Sequence, residues 1–121
     1  MSNNSPWSDL YFRNCPPNTA TKEDIKVVYR LVETDPPTIS DFEPNKVKNP
    51  NNSKTCDSLS TTVWEDIKEV SDYKKFALLR NKKIAKGYIT KYDGKIERHN
   101  NSRITWWIDI SDPDKQFKVI P

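Results

Sequence analysis

A chain of 121 residues has the length of one ordinary domain, and its four Trp, five Tyr and four Phe are spread along it. That spread excludes disorder throughout, because disordered chains are depleted in aromatics, even though the mean hydropathy is only -0.90. Twenty Lys and Arg stand against 17 Asp and Glu, a net charge of +3 with both signs mixed, which gives only a weak long-range pull on nucleic acid or anionic membrane.

Residues 1–20 are rich in Asn, Ser and Pro and read as a polar N-terminal arm, with Trp7, Leu10, Tyr11 and Phe12 as anchors to the surface of a single domain over 21–121. The arm has neither the charged start nor the apolar run of a signal peptide, and no stretch approaches the roughly 18 apolar residues of a membrane span. A soluble, cytoplasmic protein without membrane association is expected. Cys15 and Cys56 are then expected as free thiols; without a Cys-x-x-Cys spacing they are no structural zinc set, and no metal is expected. The glycosylation patterns at Asn3, Asn51 and Asn100 are discounted on the same ground.

From Asp24 the run DIKVVYRLVETD is apolar on both faces, which predicts a central strand over 24–33. Strict alternation places Ile25, Val27, Tyr29 and Leu31 on one side and Lys26, Val28, Arg30 and Val32 on the other. Pro36 and Pro37 end the strand. A short helical turn around Ser40 to Glu43 follows, with Ile39 and Phe42 facing inward, and then a polar linker, NKVKNPNNSKTCD.

A helix is predicted from about Thr61 to Leu79, capped at Ser60 or Thr61, with Val63, Ile67 and Val70 on its buried stripe. The apolar period then changes from 3.6 to two near Ile84. IAKGYITKY, KIERH, RITWWIDI and KQFKVI read as strands, with Asp93-Gly94 as a type I′ turn signal between the first two. The fold class that accommodates this order is α+β: a single domain, a twisted, mainly antiparallel sheet with one or two helices on one face.

The segment RITWWIDI holds the residues of most interest for binding. Alternation buries Trp106 with Ile104, Ile108 and Ile110 and sends Trp107 to the other side with Arg103 and Asp109, under the arm or in a partner interface. Trp107, Arg103 and the single histidine, His99, are the candidate partner-binding residues. This reading makes the chain a small non-enzymatic interaction module that docks on a protein partner through exposed aromatics and Arg, with no cofactor.

A second reading comes from VVYRLVE with Arg30, SLSTTVWED with Ser60, and Glu97 on a late strand. This Arg–Ser–Glu order resembles that of ADP-ribosyltransferase-like split-sheet domains. The resemblance implies NAD as cofactor, with Arg30 holding its ribose or phosphate, Ser60 ordering the nicotinamide pocket and Glu97 stabilising the ribosyl cation. The residues themselves are equally served by simpler roles: Arg30 in a half-buried ion pair, Ser60 as a helix cap, Glu97 on the surface. A third reading, a single-stranded nucleic-acid binder, rests on the interleaving of Lys86, Tyr88, Lys91, Tyr92, Lys95, Arg98, Arg103 and Trp107; Asp93, Glu97, Asp109, Asp112 and Asp114 in the same region oppose it.

Overall fold

In the computed structural model, which describes Trp7, Tyr11 and residues 14–44, 55–76 and 81–121, the β-branched and aromatic runs of the sequence become strands. They are β1 (Ile25–Val32), β2 (Thr61–Trp64), β3 (Lys83–Ile89), β4 (Gly94–Arg98), β5 (Arg103–Ile108) and β6 (Phe117–Val119). Together they form one open antiparallel sheet in the order β4-β5-β2-β1-β3-β6, accompanied among the described residues by one α-helix, α1 (Ile67–Lys74). This is an α+β fold with β1 inside the sheet, as its two apolar faces require. Several expectations lie outside the described residues: anchoring of the arm by Leu10 and Phe12, most of the polar linker, the helical turn reaching Leu79, and the patterns at Asn3 and Asn51.

The strand order forces the sheet to curl. Between β3 and β4 lie only residues 90–93, closed as a turn by the Asp93 N–H donating to Thr90 O at 3.0 Å. Such a turn brings its ends within about 7 Å. In a flat sheet of this order the same strands would be four spacings, about 19 Å, apart. The concave face encloses the main core, where Val28, Val32, Phe42, Val63, Ile96, Ile104 and Trp106 are buried. Asp93-Gly94 therefore marks a real turn, but not the expected hairpin: β4 pairs with β5 and β3 with β1 and β6. Gly94 sits at φ +123°, and a Cβ there would run into the carbonyl of Trp107.

The convex, outer face is covered in two places. Leu31, Trp64 and Val70 form one cluster beneath α1, with Tyr29, Tyr73 and Ile84 packed against it. Cys15, Ala20, Leu59 and Trp107 form the other, joined by Tyr11 and Cys56. The helix thus packs on one face, but it begins later than its sequence suggests. Thr61–Trp64 is a strand because Thr-Thr-Val-Trp is β-branched and aromatic and pairs with β5 through four registers, Thr61 with Trp106 to Trp64 with Arg103. Asp66 caps α1, its side chain accepting the Lys68 N–H at 2.9 Å. Ser60 is consequently no helix cap: its hydroxyl donates to Asp57 O at 2.6 Å.

Two further expectations are corrected. A bulge between Ile25 and Val28 places both in the core, while the intervening Lys26 and Val27 are exposed, so the simple alternation of β1 fails at its start. Cys15 and Cys56 are not free thiols but a disulfide, with Cα atoms 5.5 Å apart. The spacing of 41 residues gave no sign of this, because only the returning loop brings Cys56 beside the arm.

Candidate functional site

The adjacent tryptophans part as alternation requires. Trp106 is 0% exposed in the main core and its indole N–H reaches Asp93 O at 3.1 Å. Trp107 points to the outer face and is nevertheless only 1% exposed, because the arm and the Cys56 loop close over it. Its indole donates to Cys56 O at 2.9 Å, and Tyr11 crosses the strand end to donate its hydroxyl to Ile108 O at 2.8 Å.

Beside this cover, a cleft of about 370 Å³ opens between the arm and the β3–β4 turn. Trp107 contributes to its floor, and Lys22, Lys91, Tyr92, Lys95 and Asp109 stand around it. Lys95 is the register partner of Trp107 on β4. Lys22 follows Thr21, whose backbone pairs with Ile96 on the outer edge of β4. Lys91 and Tyr92 come from the tight turn. That turn is held by buried Asp93, whose carboxylate accepts the Thr90 N–H at 2.7 Å and the Gln116 amide at 2.8 Å. Tyr92 is 77% exposed, with Lys91 Nζ 5.3 Å from its ring centroid. Three lysines against one aspartate make the cleft basic.

A second, polar cavity of about 490 Å³ lies farther along the same two strands, lined by Glu97, Arg98, His99 and Arg103 with the Asn100-Asn101 loop. The His99 N–H donates to Arg103 O at 3.0 Å, and the imidazole Nε2 lies 3.3 Å from the Thr105 hydroxyl. Glu97 accepts the Thr19 hydroxyl. Arg98 is committed to Glu23, at 3.1 Å, and to Glu65. The Glu23 carboxyl is held below its ordinary value, first by the hydrogen bond from Thr21 and then by Arg98.

Arg30, Ser60 and Glu97 do not converge. Arg30 is on the core face of β1, donating through Nε to Asp41 O at 2.8 Å and through a terminal nitrogen to Thr62 O, with its guanidinium over the Phe42 ring. Burial pushes its pKa down to about 10, partly offset by the Asp41 charge. Glu97 pairs in register with Thr105, on the outer face. The sheet therefore stands between the cation and the carboxylate that an NAD site would need together, and the Ser60 hydroxyl is satisfied within its own loop. Trp107, Arg103 and His99 do share the outer face, but Trp107 is covered and Arg103 lies about 13 Å along the strand.

The sequence missed Lys22, since nothing in the arm signals that Thr21 bridges to Ile96. Lys91, Tyr92 and Lys95 were legible as interleaved cations and aromatics, though not as walls of one cleft. Among the described residues no group of three His, Cys, Asp or Glu could hold a metal ion. None of the described helices is long and apolar enough to cross a membrane. No family model, curated protein or solved structure matches this chain.

Proposed function

We propose that the chain is a non-enzymatic interaction module that docks on a protein partner, and that the basic cleft beside Trp107 receives an acidic segment carrying an apolar or aromatic side chain. The observation that supports this reading is the exposed ring of Tyr92 at the rim of a cleft with three lysines and an aromatic floor. Tyrosine supplies a large, stiff contact surface and recurs among the residues that dominate interface energies. Lysines around it speed and orient the approach of an acidic partner. The expected docking surface thereby moves from Trp107, which the arm covers, to the rim above it.

The Cys15–Cys56 pairing favours an oxidising compartment over the cytoplasm, because cytosolic thiols are kept reduced. The experiment is calorimetric titration with a capped Glu-Glu-Phe-Glu-Glu peptide, with Lys-Lys-Phe-Lys-Lys as control. Binding of the acidic peptide alone, weakened at least about fivefold by Tyr92→Ala and by Lys91→Glu, is expected from the loss of an interface anchor and of charge complementarity. Equal binding of both peptides, or indifference to both substitutions, contradicts the proposal.

A further inference from the structure

Among the described residues, part of the outer face of β1, β3 and β6 lies open beside the α1 cluster, and its side chains form an ordered pattern. Tyr29, Lys86 and Lys118 are direct register partners across the three strands, so they stand in one row perpendicular to the chain direction. The β1 bulge sets exposed Lys26 and Val27 against Tyr88, which is itself 46% exposed, in the next row. Like charges directly opposite in a sheet are destabilising, yet Lys86 and Lys118 are opposite and both exposed. Neither they nor Lys26 makes an ion pair among the described residues.

We infer that this face is a binding platform for single-stranded nucleic acid, with Tyr88 as the stacking surface for a base, half-buried Tyr29 closing the row toward α1, and Lys26, Lys86 and Lys118 as phosphate contacts. An exposed aromatic ring among cations on a pleated surface provides what a single strand demands: a flat face for an unstacked base and positive charge along the backbone. A phosphate between Lys86 and Lys118 would also relieve their repulsion. An acidic segment would satisfy the lysines but would leave the Tyr88 face without a flat partner. A carboxylate at the edge of this pattern, Asp24, shares a dimple of about 290 Å³ with Lys26 and Tyr88 and accepts the Lys91 N–H at 2.8 Å. Beyond the other end, Asp35 shares its cavity with Lys74 and Lys83.

The platform and the acidic-segment cleft use different residues, so the two readings fail separately. Fluorescence anisotropy with a labelled ten-nucleotide oligo(dT), compared with an abasic deoxyribose-phosphate strand of the same length, tests the platform. Three phosphate contacts predict a slope of roughly -2 in log affinity against log salt. Tyr88→Ala should weaken oligo(dT) about 5- to 100-fold while leaving the abasic strand unchanged. Lys86→Glu with Lys118→Glu should weaken both strands and flatten the slope, and Tyr92→Ala should alter neither. Equal affinity for oligo(dT) and the abasic strand, no binding by the wild type, or indifference to Tyr88→Ala and to the double lysine variant would overturn the inference.

Discussion

Trp106 and Trp107 show how far a single residue's environment follows from its neighbours. Alternation sends them to opposite faces, and they do point there, but an outward direction does not make a residue exposed. Because Trp107 is 1% exposed and hydrogen-bonded to Cys56 O, Trp107→Ala is expected to cost about 3–5 kcal/mol, as much as Trp106→Ala, and urea melts of both variants measure this. A much smaller cost for Trp107→Ala would mean that the arm does not hold its cover in solution. Glu23 carries the acid response at this scale. Its folded pKa lies below the ordinary 4.5, so the unfolded chain binds the proton more tightly. Its contribution is complete above about pH 4.5 and is lost as pH falls through the lowered value. The stability advantage of wild type over Glu23→Gln should therefore shrink between pH 6 and pH 3 in urea melts; an advantage that grows on acidification would contradict the assignment.

At the scale of elements, the sequence was most legible where local preference and tertiary pairing agree. The apolar faces of β1, the period of two after Ile84 and the short turn carrying Phe42 all appear. It misled where long-range pairing decided. Val63 and Val70 have helical spacing, but Val63 is drawn into β2 by register with Ile104, and the helix starts only after Asp66. The candidate cleft was legible only in pieces, since Lys22 reaches it through the Thr21–Ile96 bridge and Tyr92 through a turn that closes no hairpin. The disulfide is the element-scale device that fastens the arm. Its closed loop spans 41 residues, and the loop-entropy model gives about 4 kcal/mol for a loop of that length. Cys15→Ser with Cys56→Ser, or reduction of the wild type, should lower the urea midpoint accordingly. An unchanged midpoint under reducing conditions would show that the cross-link does not fasten the arm.

For the whole molecule, the curl is the property that organises the surface. It seals Trp106, Phe42 and Phe117 on the concave side, and it brings the β3–β4 turn beside the arm so that Lys91 and Tyr92 face Lys22 and Lys95 across one cleft. A flat sheet of the same order would stretch the short β3–β4 connection to its limit and leave no tight turn to carry Lys91 and Tyr92. Among the described residues the convex face carries exposed zones of different character, the basic cleft with an aromatic floor and the lysine–tyrosine rows of β1, β3 and β6. The measurement that tests the proposed docking most directly is a residue-resolved NMR titration of the oxidised, isotope-labelled chain with the Glu-Glu-Phe-Glu-Glu peptide. The account predicts saturable amide shifts concentrated at Lys22, Lys91, Tyr92 and Lys95, with the Trp107 indole signal moving alongside them and the Tyr88 and Lys118 amides unmoved. Shifts confined to other surfaces, or none at millimolar peptide, would contradict it.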